Sequence, residues 1–335
     1  MGTDASTTVQ TPASLRALLT DLIDYAGLFP PAALSLDEAF PNYLKYRESN
    51  DAWMLNHFII PGSRLADLKP YAGELEDGEP CTLSILGPRA AGANAFVEGV
   101  GELLHRLANL SRETAGKFEG HVIEAPVPTE VLSLGASQLR PVLEHMLVDL
   151  QNVLTASPVD EIMLFLEVPF AHSATTMDSV AQCIAAYNKH SDGGLRTGYK
   201  MRTGSTNPTE IPPSSAVASA LVACHSAGVP YKATAGLHHP VRHYNEALGG
   251  YMHGFFNLFG AAAILSGDEL SMDAVTELLE EENSNAFSFD DEGLTWSDHR
   301  ISVSEIKEMR SGRAISFGSC SFDEPREDLR SLGLL

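Results

Sequence analysis

The chain has 335 residues, with 44 acidic against 22 basic side chains and a formal charge of -22 at pH 7. That acid excess argues against a nucleic-acid ligand, which needs a basic footprint, and against anionic membrane surfaces, which repel it. With 44% hydrophobic residues the chain can bury a large core, which sets it apart from disordered sequences and allows two domains or one large α/β barrel.

Residues 1–13 read as a frayed, Thr/Ser-rich tail without the basic start and apolar run of a signal peptide. An amphipathic helix follows at 14–22. Strand-like runs then fall at 23–29, 53–60, 81–86, 121–127, 161–169, 196–203, 230–237 and 314–320. Between them, apolar residues at three- and four-residue spacing predict helices at 36–48, 95–111, 138–154, 179–190, 214–227 and 273–282. Eight strands with crossovers predict one α/β domain over 14–335, a TIM-like (β/α)8 barrel, with a doubly wound open sheet as the other reading. Within 283–300, SFDDEGLTW predicts a small hairpin inserted before the last strand. The apolar run 249–265 carries His253 and Asn257 and is too short to cross a bilayer, so it reads as a buried helix. Cys81, Cys183, Cys224 and Cys320 fit neither a disulfide framework nor a metal knuckle, and reduced thiols in a cytoplasmic protein are expected.

Against the overall charge, 196–242 holds Arg196, Lys200, Arg202, Lys232 and Arg242 with a single acidic side chain, Glu210. Lys200 and Lys232 interrupt the apolar strands GYKMRTG and VPYKATAG, where an ammonium costs desolvation unless its charge is used or compensated. Alternation along a strand puts Lys200 and Arg202 on one face, and Lys232, Thr234, Gly236 and His238 on another, each facing a barrel interior. The lysines are one βαβ unit apart, so the two amines are expected side by side. A second ammonium with partial burial lowers an amine pKa and leaves a nucleophile for a carbonyl. The alternative is a pair of snorkelling or ion-paired structural lysines.

KMRTG at 200–204 resembles the Lys-x-x-Thr-Gly strand of the deoxyribose-phosphate aldolase group of class I aldolases. KATAGLH at 232–238 is similar to that group's next strand, and ISFGSCS at 315–321 to its Gly- and Ser-rich last strand. The resemblance implies Lys200 as the imine former and Lys232 as its pKa partner. It also implies a phosphate nest from Gly318, Ser319 and Ser321 with Gly236. The chain departs from the pattern at Arg202, Ala235 and His238, and no motif supplies the group's acidic proton-relay residue.

AGLHHPVRH places His238, His239, Arg242 and His243 after a strand, where a barrel carries its chemistry; His238, in phase with Lys232, is the candidate general acid or base. Glu167 in IMLFLEVPF and His57 in WMLNHFII hold comparable places near strand ends, and Asp24 or Tyr25 could face the same site. His253 and Asn257, one helical turn apart, point to the rim or pack as a core pair. The polar loop 202–215 could bind an anion or act as a lid.

The leading expectation is a cofactor-free, lysine-dependent aldolase or lyase acting on a small anionic carbonyl compound. Lys200, Lys232, Glu167 and His238 would do the chemistry. Arg202, Thr234, Gly236, His239, Arg242, Gly318, Ser319, Ser321 and His57 would bind substrate. One alternative is a lyase or hydrolase whose divalent metal ion is held by His57, Glu167 and His238; another is a non-catalytic phosphometabolite-binding protein. Self-association is left open.

Overall fold

A computed structural model describes residues 11–268 and 270–335. Eight parallel strands close into a barrel: β1 (Ile23–Tyr25), β2 (Leu55–Pro61), β3 (Cys81–Leu86), β4 (Phe118–Pro126), β5 (Ile162–Glu167), β6 (Leu195–Arg202), β7 (Tyr231–Thr234) and β8 (Ala314–Ser319). Each strand pairs with its sequence neighbours, and β8 returns to β1 with Ile23 opposite Phe317 and Asp24 opposite Gly318. This is the (β/α)8 architecture expected from the alternation of strand and helix signals.

Helices cover the outside because one stripe of each is apolar. In Ala93–Glu113 the buried residues Phe96, Val100, Leu103, Leu104, Leu107 and Leu110 recur at three- and four-residue spacing. Each large apolar side chain so buried contributes roughly 1.5–3 kcal/mol. Helices Ala136–Thr155, Ala174–His190 and Ser214–Ala227 follow the same rule. Inside the barrel, Gly198 leaves room for the Phe165 ring, since a Cβ there would lie 2.6 Å from Phe165 Cε1. The Lys232 ammonium rests 5.7 Å above that ring.

Several expected boundaries shift. The first ten residues of the expected tail 1–13 lie outside the described residues, and Ala13 already opens the first helix, Ala13–Leu19. β1 stops at Tyr25 because the chain turns at once, Phe29 N–H bonding back to Ala26 O at 2.9 Å. β7 stops at Thr234 because Ala235 and Gly236 adopt positive φ, +65° and +80°. His238 therefore leaves the alternation that was to align it with Lys232. The inserted hairpin is a three-stranded antiparallel sheet, Phe287–Phe289, Gly293–Trp296 and His299–Ser302. A second antiparallel pair, His243–Asn245 with Gly250–Met252, takes the start of the run expected to be wholly helical, and helix Phe255–Gly267 begins after it. Among the described residues no helix is long and apolar enough to cross a membrane.

Candidate active site

Lys200 on β6 and Lys232 on β7 are register partners. Both point into the barrel, and they are 4% and 0% exposed. Their surroundings supply three carboxylates. Lys232 Nζ donates to Asp24 Oδ2 at 2.6 Å and to Glu124 Oε1. Lys200 Nζ lies 2.9 Å from Glu124 Oε2 and 2.7 Å from Glu167 Oε2. Both of these approaches are ion pairs, and Glu124 Oε2 has no hydrogen-bond partner among the described residues. Arg202 Nε closes the series on Glu167 Oε1 at 3.0 Å. Ser84 Oγ donates to Glu124 at 2.5 Å, and Ser316 Oγ to Asp24 at 2.6 Å. Asp24, Glu124 and Glu167 thus alternate with Lys232, Lys200 and Arg202 in one chain of charge.

This alternation sets the protonation states. Burial alone would raise the Glu124 pKa, but Lys200 and Lys232 outweigh it and hold the carboxyl far below its ordinary value. Burial opposes ionisation of Glu167 too, and Lys200 and Arg202 again prevail. For Lys232 burial works downward, yet Asp24 and Glu124 lift the ammonium above the ordinary lysine value.

Above the charges opens a cavity of about 510 Å3 at the C-terminal ends of the strands, where (β/α)8 barrels carry their chemistry. Lys200, Glu124 and Arg202 reach it from below, and Thr234, Gly236 and Gly318 form a wall almost without side chains. Gly204 and Gly236 let the loops after β6 and β7 touch: a Cβ on Gly204 would sit 2.7 Å from Gly236 Cα. Thr203 Oγ1 ties the same loops by donating to Ala235 O at 2.9 Å. His238, His239, Cys320 and Glu324 stand at the rim, and Asn245, Leu248 and Met252 of the antiparallel pair cover it.

The expected residues divide. Lys200, Arg202, Thr234, Gly236, His238, His239 and Gly318 line the cavity, and Glu167, opposite Lys200 on the neighbouring strand, pairs with it from the side. Ser205 and Thr206 bring the polar loop after β6 into the lining. Lys232 is sealed below, and the expected direct repulsion between amines gives way to a shared carboxylate, because Glu124 contacts both. His238 does not reach the lysines; its Nδ1 is 2.7 Å from Glu324 Oε2. Arg242 pairs with Glu282 at 2.6 Å and stacks 3.8 Å from the Tyr251 ring, outside the cavity lining. Ser319 and Ser321 are likewise outside it: Ser319 Oγ donates to Ser321 O at 2.7 Å, and Ser321 Oγ accepts from Glu324 N at 3.1 Å.

His57 lies two residues before the cavity-lining Ile59 on β2, one layer deeper, with Nδ1 2.9 Å from Thr82 Oγ1. Burial lowers its pKa to about 4 in spite of Asp24. His57, Glu167 and His238 therefore hold separate partners, and among the described residues no three His, Cys, Asp or Glu side chains are grouped to hold a metal ion. His253 and Asn257 pack as a core pair, satisfied at Asn257 and only half so at His253: Asn257 bonds Arg242 N, Leu278 O and Glu281 O, whereas His253 Nε2 meets Pro212 O at 2.9 Å and its Nδ1 has no partner among the described residues.

Sequence reasoning missed Glu124, the carboxylate at the centre of the chain. Its signal was the one that found Glu167, a lone acid inside an apolar strand, here HVIEAPV. Glu324 was also missed, and Cys320 was expected only as backbone of the 318–321 nest, its thiol given no role. Compared with known protein families, curated proteins and solved structures, the chain matches none.

Proposed function

We propose that the protein is an enzyme that binds a small anionic carbonyl compound in the barrel mouth. It forms a Schiff base on Lys200, and makes or breaks the neighbouring C–C bond. The observation that carries this reading is the placement of Lys200: an amine on the cavity floor, paired with two carboxylates at 2.9 and 2.7 Å. Either carboxylate can take one proton from the ammonium. The freed nitrogen pair attacks the carbonyl carbon, the C=O π pair moves to oxygen, and that oxygen leaves as water once protonated. The resulting iminium accepts the electron pair of the breaking C–C bond while the β-hydroxyl gives its proton to a neighbouring carboxylate and becomes the carbonyl of the departing fragment; the enamine carbon then takes that proton, and water hydrolyses the remaining iminium to free the product and Lys200.

Lys232 and Asp24 act by position. They hold Glu124 in place beside Lys200, where it is one of the two nearest acceptors for the ammonium proton. Glu124 also supplies an acid between two strand lysines, which the motifs resembling the deoxyribose-phosphate aldolase group did not provide. Arg202 and the protonated His238 are the cations that would face an anionic substituent on the substrate.

The test is borohydride reduction in the presence of small aldehydes and ketones, with and without a phosphate or carboxylate group, followed by peptide mass spectrometry. A reduced adduct on Lys200 is expected, absent in Lys200→Met. Binding of such compounds with no adduct on Lys200 would leave a sensor of metabolites in place of an enzyme and end the Schiff-base reading.

A further inference from the structure

A second constellation stands at the rim, of which the lysine chemistry uses only the charge of His238. His238 comes from the loop after β7, Cys320 follows β8, and Glu324 lies in the first turn of helix Asp323–Ser331. His238 Nδ1 is 2.7 Å from Glu324 Oε2, and its Nε2 is 3.7 Å from Cys320 Sγ. The carboxylate fixes the ring, the ring addresses the sulfur, and all three residues line the cavity. Nucleophile, base and orienting acid in this sequence are the parts of an activated thiol, a geometry that recurs on unrelated folds. All four cysteines are buried, but Cys81, Cys183 and Cys224 have no such partner among the described residues.

We propose that Cys320 is a second nucleophile of this protein, activated by His238 and Glu324, which takes the carbonyl carbon of an aldehyde in the cavity as a hemithioacetal. The S–C bond forms, the carbonyl π pair moves to oxygen, and the thiol proton passes through His238 to that oxygen. No leaving group, oxidant or reductant is involved.

The electrostatics agree. Burial opposes protonation of His238, but Cys320 and Glu324 lift its pKa to about 9, so at neutral pH an imidazolium stands beside the sulfur with a proton to give to the developing alkoxide. The other ionisable groups here are Tyr25 and Asp323 near Cys320, and His239, His243 and Asp328 near His238 and Glu324.

Two readouts on the full chain test the proposal, and neither involves Lys200. With iodoacetamide the sulfur displaces iodide. At about pH 6.5 the wild type is expected to alkylate at Cys320 roughly tenfold faster than His238→Asn, because an unassisted thiol is almost wholly protonated there. Glu324→Gln, at a half-exposed side chain, slows the reaction in the same direction and serves if His238→Asn does not fold. Propanal labelled with carbon-13 at its carbonyl gives a hemithioacetal resonance in the wild type that Cys320→Ser lacks. Alkylation of Cys320 no faster in wild type than in the folded variants, or identical carbon spectra for wild type and Cys320→Ser, overturns the proposal.

Discussion

Lys200 and Lys232 stand opposite each other across adjacent strands, and each holds one oxygen of the same carboxylate, Glu124. The two ammoniums differ in what else they hold. Lys232 has Asp24, is fully buried and is hydrogen-bonded to both acids, whereas Lys200 has Glu167 and opens to the cavity. One lysine is thus fastened and the other is available.

That difference is measurable as stability. Lys232→Met leaves Asp24 and Glu124 buried without their main counter-ion and is expected to cost about 3–5 kcal/mol, the usual loss when a buried ion pair is broken from one side. Lys200→Met is expected to cost clearly less, since Glu124 keeps Lys232 and Glu167 keeps Arg202. Urea denaturation of the two variants compares them directly, and equal losses would contradict the arrangement.

Acid sensitivity begins with the histidines that burial holds below their ordinary value, His225, His243 and His253 together with His57. The folded pKa of His57, about 4, lies below the ordinary 6.5, so the unfolded chain binds the proton first. The contribution is complete above pH 6.5 and is lost as pH falls from 6.5 through 4. Glu124 and Glu167, lowered from 4.5, give up theirs at still lower pH. Thermal melts of wild type should decline across the His57 window, and His57→Gln should flatten that part of the profile while leaving the more acidic part.

Gly204→Ala is expected to destabilise by about 1–3 kcal/mol, the range for forcing extra volume into packed structure. The new Cβ would meet backbone, Gly236 Cα at 2.7 Å and Ala235 C at 2.8 Å, and backbone cannot rotate aside. Thermal unfolding reads the loss, and an unchanged melting temperature would show the two loops free to slide apart.

The thiols should separate into two classes. Burial pushes Cys81 and Cys183 up to about 12 and Cys224 higher still. A disulfide-exchange reagent at neutral pH is expected to count one thiol in the native protein, Cys320, and all 4 after denaturation.

The barrel was legible because its strands are short apolar runs set between helices with a clear stripe, and the strand lysines stood out because charge is costly there. Glu124 is the same kind of signal, yet no neighbouring motif drew attention to it. The extent of β7 was hidden by a backbone choice, since Ala235 in the left-handed region carries no mark in the sequence. Glu324 and Asp328 sit in DEPREDLR, a charge-rich stretch that reads as a solvated helix face, although they meet His238 and His239 at 2.7 and 2.6 Å. Contacts spanning 86 and 89 residues leave no local pattern.

The chain of charge inside the barrel is divided between the two ends of the polypeptide: its acids come from β1, β4 and β5, and its cations from β6 and β7. A nascent chain that has reached only the fifth strand carries an anionic lumen with nothing to neutralise it, and the remaining strands bring the opposite sign. Neither half is electrically complete until the ring shuts. Two fragments parted in the loop after β5 are therefore expected to be poor folders alone and to recombine with each other through mutual attraction of their inner faces.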